Sequence, residues 1–211
     1  MIPLYEVLER TRFRALLTRL YRVQVEGAEN IPDTGPAVLV ANHESLIDPW
    51  ILALATRRHI RYMAKSEFFA NPVLRLVMNL FGTFPVERGG GGAAALGRGG
   101  ELLAAGEILG VFPQGTCLPF RDRPWHRGAA RLALATGAPL LPVCIVGTER
   151  ALRPHRPKLG RPRIRILVSR PIEVARTRPT VAAARALTRR LEEAIAELRR
   201  PYGPPAHAWI D

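Results

Sequence analysis

Two cysteines, Cys117 and Cys144, are all that 211 residues carry, and they form neither a metal-binding spacing nor a disulfide framework. A reducing compartment fits that poverty. Lysine is almost missing, since of the 31 basic residues only Lys65 and Lys158 are not arginine. Acidic residues number 18, which leaves a formal net charge of +13. No apolar run approaches the ~18 residues that a spanning helix requires, and no basic-apolar-small signal opens the chain. Membrane contact is therefore expected to be peripheral, at the cytoplasmic face. Gly-x-Ser-x-Gly does not occur, so there is no nucleophile elbow and a covalent acyl-enzyme is the less expected route. His-Glu-x-x-His is absent too, because Ile47 stands where the second histidine would be. His59, His126, His155 and His207 are scattered, and no metal site is expected. There is no aromatic-rich RNA-binding strand, no zinc-finger spacing and no basic low-complexity arm, so nucleic acid is not the expected partner.

What is present suits a folded domain. Hydrophobic residues make up 47% of the chain, enough for a core, and the length fits one domain with a sizeable core, or one domain plus a small helical appendage. The positive excess points to an anionic partner: a phosphate-bearing substrate, an anionic membrane surface or nucleic acid. Arginine beside abundant Ala, Gly and Pro is also a compositional habit, so charge alone ranks none of these.

Residues 1–22 read as a helical segment with a bend near Glu9 to Thr11. Phe13, Leu16, Leu17 and Leu20 form an i, i+3, i+4, i+7 stripe ringed by arginines. Such a segment either lies on anionic lipid or packs on the domain. Residues 23–200 then alternate. Strands are expected at 23–26, 36–41, 60–64, 108–112, 139–146 and 163–169, with a brief extended segment at 82–88. Helices are expected from Asp48, at 72–81, 93–105, 127–136 and 180–199. In the last strand Ile164, Ile166 and Val168 alternate, so one face is expected in water. In the last helix Leu187, Leu191, Ile195 and Leu198 form the buried stripe, and its arginines read as a solvated face. Residues 201–211 read as a loose Pro-rich tail, with Trp209 able to dock. From the glycine run 89–92, Gly89-x-Gly91-x-x-Ala94 formally matches a dinucleotide loop, but Pro85, Glu87 and Arg88 precede it where a buried strand should be apolar. A connector is the expected role. This alternation describes an α/β fold, a mostly parallel or mixed sheet flanked by helices, with ligands bound beyond the carboxyl ends of the strands.

The chemistry-bearing stretch is Val38-Leu39-Val40-Ala41-Asn42-His43-Glu44-Ser45-Leu46-Ile47-Asp48-Pro49-Trp50. A buried strand ends at Ala41, and a turn runs to Ile47. Asp48 suits a helix N-cap and Pro49 the first helical position. Strand, turn and helix together let Asp48 reach back to His43. An imidazole with a carboxylate on its second nitrogen is a general base whose tautomer is fixed. With Ser45 only two residues on and no other nucleophile nearby, the pair suits direct activation of a substrate hydroxyl. The bland reading is a capped helix beside a hydrogen-bonded histidine.

With these blocks in view the chain resembles the 1-acylglycerol-3-phosphate acyltransferase family of glycerolipid acyltransferases. The first motif, Asn-His-x-x-x-x-Asp, stands as Asn42 to Asp48. The second, Gly-x-x-Pro-Val-x-Arg, stands as Gly82 to Arg88. The third, Phe-Pro-Glu-Gly-Thr-Arg-Ser, appears as Phe112-Pro113-Gln114-Gly115-Thr116-Cys117-Leu118, and the fourth, an apolar run with Pro, as Leu140 to Ile145. The resemblance implies a glycerol-3-phosphate acyltransferase-like fold and acyl transfer from acyl-CoA or acyl-ACP to a lysophospholipid hydroxyl. It makes His43 the base, Asp48 its orienter and Arg88 the ligand of the acceptor phosphate. It places Gln114, Gly115 and Thr116 in the acceptor-binding block. No cofactor is implied beyond the thioester donor, and the implied partners are the two substrates, an anionic membrane surface and an acyl carrier protein. Gln114, Cys117 and Leu118 depart from the family's Glu, Arg and Ser. Losing that Arg removes a bidentate phosphate ligand and leaves the acceptor open. Lys65, Arg121 or Arg127 are alternatives for the phosphate, and another lysolipid or a glycolipid is an alternative acceptor. A non-catalytic membrane-binding relative is the competing class.

Overall fold

A computed structural model describes residues 12–72, 75–76, 83–86, 93–115, 124–151 and 160–204. The expected bend at 9–11, the glycine run at 89–92 and the end of the tail, including Trp209, lie outside the described residues.

The described chain runs α1 (Phe13–Leu20), β1 (Gln24–Glu26), β2 (Ala37–Ala41), α2 (Asp48–Leu52), β3 (Ile60–Lys65), β4 (Phe84–Val86), α3 (Ala93–Ala104), β5 (Ile108–Val111), α4 (Gly128–Thr136), β6 (Leu140–Val146), β7 (Arg165–Val168) and α5 (Val181–Arg199). The seven strands form one sheet in the order β1-β7-β6-β2-β5-β3-β4. Only β6 and β7 pair antiparallel among these neighbours, so the sheet is mixed but mostly parallel.

β2 sits at the centre because it is apolar on both faces, and all five of its residues are buried. Ala37, Leu39 and Ala41 face one layer with Tyr21, Ile51 and Leu52, while Val38 and Val40 face the other with Leu103, Leu132 and Leu187. Fully burying one such side chain is worth roughly 1.5–3 kcal/mol, so the strand is fixed in place by its own composition. α1 and α2 cover the first face; α3, α4 and α5 lie side by side on the second.

Local signals account for the boundaries. Thr180 caps α5, its hydroxyl accepting from the Ala183 N–H at 3.2 Å. Gly137 ends α4 with a φ of 78°. Gly110 lies opposite Tyr62 in the β5–β3 register, and a Cβ there would come within 2.5 Å of the Tyr62 ring. Only a residue without a side chain lets that ring lie flat on the sheet.

Three expectations change. Leu167 is buried against the α5 layer, while Ile166 and Val168 face the other, so β7 is apolar on both faces and wet only near Arg165. In α1, Phe13, Leu17 and Leu20 pack on the core, and Phe13 meets Trp50 edge-on at 5.6 Å, but Leu16 is 57% exposed. Arg14 leaves the solvated ring and donates to the carbonyls of Ala53, Leu54 and Thr56 at 3.2, 2.6 and 3.0 Å, taking up acceptors that the end of the helical turn after α2 leaves open.

Candidate active site

The turn after β2 is held by side chains rather than by a regular hairpin. Asn42, buried, donates to the Ile145 carbonyl at 2.8 Å and accepts from the Ile145 N–H at 2.7 Å. Its amide thus continues the β2–β6 ladder one step past Ala41. α2 begins at Asp48 with Ile47 as its cap residue, one position earlier than expected, and Asp48 does not cap its own helix. Its carboxylate turns back instead. Oδ2 accepts from His43 Nδ1 at 2.9 Å, from the Glu44 N–H at 2.7 Å and from the Ser45 N–H at 2.8 Å. Asp48 is fully buried, and its second oxygen has no hydrogen-bond partner among the described residues.

Three donors on one carboxylate oxygen fix both the acid and the ring. With the Nδ1–H committed to Asp48, the tautomer assigned by this geometry leaves Nε2 as an acceptor. His43 is 16% exposed, so its outer edge meets solvent while its inner edge meets a buried anion. Phe112 stacks on the imidazole at 4.4 Å, and Tyr62 stacks on Phe112 at 6.1 Å. The Tyr62 hydroxyl donates to the Pro49 carbonyl at 2.9 Å, tying the stack to α2. These rings fix the plane of the base.

The third motif joins the first here. The His43 N–H donates to Gln114 Oε1 at 2.5 Å. Gln114 stands where the family has Glu, and the bond needs only an acceptor, which an amide oxygen supplies as a carboxylate would. Gly115, at φ 70°, closes that turn with its N–H on the Phe112 carbonyl at 3.0 Å. The structure therefore brings His43, Asp48, Gln114 and Gly115 together. Lys65 ends β3 on the same edge of the sheet, but its side chain lies outside the described residues. Arg88, Thr116, Cys117, Leu118 and Arg121 also lie outside them. Arg127 is described and exposed, just before α4.

Behind the turn is a buried polar cluster that the sequence reading missed. Arg199, 13% exposed, donates to the Ile145 carbonyl at 3.3 Å and lies 4.0 Å from Glu149. Glu149 is buried and accepts the Gly147 N–H at 2.9 Å. Burial pushes the Glu44 carboxyl above its usual range; the Arg199 guanidinium opposes the shift, while Asp48 and Glu149 add to it. Burial likewise pushes the Cys144 thiol up to about 11, which makes it an inert core residue. Arg199 corrects the reading of the last helix as having only solvated arginines, though Arg185, Arg189 and Arg190 are exposed as expected. No local signal marks Arg199, because its burial depends on residues 200–204 and on the distant end of β6. For Phe112 the signal was present, as the aromatic position of the third motif.

Residues 22–146 match the family model described as Acyltransferase, a span that holds all four motifs. The chain is 29% identical over 157 residues to the chloroplastic 1-acyl-sn-glycerol-3-phosphate acyltransferase BAT2 of Brassica napus, a match covering 72% of this chain and 45% of the relative. It is 29% identical over 179 residues to the 1-acyl-sn-glycerol-3-phosphate acyltransferase of Bacillus subtilis (strain 168), covering 83% of this chain and 87% of that one. Against the chloroplast relatives, then, the chain spans less than half their length. The crystal structure of the 1-acyl-sn-glycerophosphate acyltransferase PlsC from Thermotoga maritima superposes with a TM-score of 0.70 at 25% identity, over 92% of this chain and 80% of that chain. The family model covers more than half of the chain and the solved relative shares its fold, so the chain belongs to the acyltransferase family.

Proposed function

We propose that this protein is an O-acyltransferase that moves a fatty acyl group from an acyl thioester to the free hydroxyl of 1-acyl-sn-glycerol 3-phosphate, giving phosphatidic acid. The observation that carries the reading is the His43–Asp48 pair, 2.9 Å apart at the carboxyl end of the central strand. His43 Nε2 takes the proton from the acceptor hydroxyl as its oxygen attacks the thioester carbonyl. The tetrahedral intermediate then collapses, the carbon–sulfur bond breaks, and the imidazolium returns the proton to the leaving thiolate. Asp48 holds the Nδ1–H throughout and stabilises the charged ring. A thioester is already activated, so the step needs a base, alignment and charge stabilisation, and uses no further cofactor.

In this reading Gln114 sets the His43 backbone, Arg88 binds the acceptor phosphate, and Thr116 belongs to the same acceptor block. The named activities of the Brassica and Bacillus relatives support the acceptor. Leu46, 58% exposed within the dyad turn, supports an approach by apolar tails from a membrane surface. Among the described residues no helix is long and apolar enough to cross a membrane, which is compatible with peripheral attachment. The altered third motif keeps another lysolipid as the alternative acceptor.

The test is thiol release from an acyl thioester with a panel of lysolipids. Lysophosphatidate should give the highest kcat/KM, and His43→Ala should lower kcat by roughly 10²–10⁴-fold with the fold intact. Turnover unchanged by His43→Ala would end the assignment, and preference for an uncharged lysolipid would replace the acceptor.

A further inference from the structure

A cavity of about 480 Å³ opens where β6 ends and β7 begins. Its wall carries Arg150, Arg161, Arg163, Arg165 and Arg199 against a single carboxylate, Glu149. Glu26, outside the wall, pairs with Arg165 at 3.2 Å. Among the described residues, counting both acids against the five guanidinium groups still leaves three positive charges unmatched. The volume is that of a small-molecule site, for which roughly 300–1,000 Å³ is usual. Arg199 and Arg165 are recessed, at 13% and 28% exposure. Arg161 and Arg163 are exposed at the rim, and neither enters a salt bridge among the described residues. Tyr202 also lines the cavity, its ring centroid 5.3 Å from the Arg165 guanidinium.

The cavity is linked to the dyad turn through the end of β6. Val146 lines it and follows Ile145, whose carbonyl accepts from both Asn42 and Arg199. Asn42 in turn precedes His43. β6 and β7 are the first and second neighbours of β2, which sets the cavity about 5–10 Å sideways from the base along the sheet edge.

We propose that this cavity binds the phosphorylated nucleotide end of a coenzyme A thioester, the acyl donor; the proposal rests on the acyl-transfer reading above. Guanidinium forks match phosphate oxygens two at a time, and an excess of three cations calls for a ligand with more than one phosphate. A lysolipid's single phosphate, about two negative charges at most, still leaves at least one of the three unmatched. The recessed Arg199 and Arg165 are open to a small molecule and out of reach of the convex surface of an acidic carrier protein. The partly exposed Tyr202 ring, with the Arg165 guanidinium over it, offers a flat surface on which an adenine ring stacks. Bound there, the nucleotide directs its pantetheine arm along the sheet edge and presents the thioester to His43.

The probe is adenosine 3′,5′-bisphosphate, titrated calorimetrically into the full chain. It should bind the native protein, and Arg161→Ala with Arg163→Ala should weaken it roughly tenfold or more, with an unchanged thermal melt. Arg185→Ala with Arg189→Ala removes two exposed charges on α5 and should leave the affinity as it was. In the thiol-release assay the bisphosphate should raise the KM for acyl-CoA and leave kcat alone. Absence of binding, equal weakening by both double variants, or competition against lysophosphatidate instead of acyl-CoA would each overturn the proposal. Binding without any turnover leaves this site standing and ends the acyl-transfer reading. Turnover with acyl carrier protein and no nucleotide binding does the reverse.

Discussion

Replacing Asp48 by Asn keeps the shape of the side chain and removes only its charge. In the native turn one carboxylate oxygen takes three N–H groups, from His43 Nδ1, Glu44 and Ser45. A hydrogen bond to an ionised group contributes about 1.5–3 kcal/mol and one to a neutral group about 0.5–1.5, so neutralising the acceptor loses about 1 kcal/mol at each bond. Three bonds give about 3 kcal/mol. The new amide NH₂ falls where the second oxygen has no partner, which adds about 1–3 kcal/mol, while release from burying a carboxylate offsets a similar amount. For a domain of this size about 3 kcal/mol corresponds to a fall in Tm of roughly 6–12 °C. Catalysis should suffer more. A neutral amide does not stabilise the imidazolium, and if its NH₂ turns toward Nδ1 it imposes the wrong tautomer, so kcat for thiol release should drop by about 10³–10⁴-fold with little change in acceptor KM. Because the two groups act as a unit, His43→Ala with Asp48→Asn together should be no slower than His43→Ala alone. If Asp48→Asn lowers Tm as expected yet keeps kcat within about tenfold of native, the carboxylate only props up the turn and the orienter role is refuted.

Two further predictions separate roles within the site. Gln114→Ala removes the acceptor of the half-buried His43 N–H and should cost about 1–3 kcal/mol with a loss of kcat, whereas Gln114→Glu keeps an acceptor and should retain both. Equal damage from the two, by thermal melts and thiol release, would mean that the amide of Gln114 acts by some other route. Glu44 has its folded pKa raised above the usual 4.5, so above that pH the unfolded state releases a proton that the folded state still holds. Its contribution to stability is full below pH 4.5 and is lost as pH rises through the raised value; Glu44→Gln should therefore gain on the native protein between pH 4.5 and 7. Urea midpoints at the two pH values check the sign, and a constant difference would contradict it.

The sheet was legible because its central strands announce themselves. Val38 to Ala41, Ile108 to Val111 and Leu140 to Ile145 are apolar on both faces, a pattern that only a covered, mostly parallel sheet satisfies. Thr180 and Gly137 marked helix ends by their own conformational preferences. β7 misled because Arg165 and Leu167 share a face, so alternation alone did not reveal that half of that face is covered by α5. The dyad was legible from its spacing, since a strand, a short turn and a helix return the chain within five residues. The buried cluster was not. Arg199 and Glu149 lie 50 positions apart and look like ordinary surface charges; what buries them is the packing of the chain after α5 against the end of β6. Periodicity carries no information about such meetings.

The way Asn42 grips Ile145 sets what this site can tolerate. Since a carboxamide stands in for the missing peptide link, the main chain is released from the pleat at residue 42 without the floor beneath the imidazole coming loose. Anchorage is thereby divorced from the course of the bend. Of positions 44 to 47 only the exposed Leu46 becomes free to diversify, since Glu44 and Ser45 are buried and Ile47 packs on the core, whereas position 42 admits no replacement that cannot both give and receive, side by side.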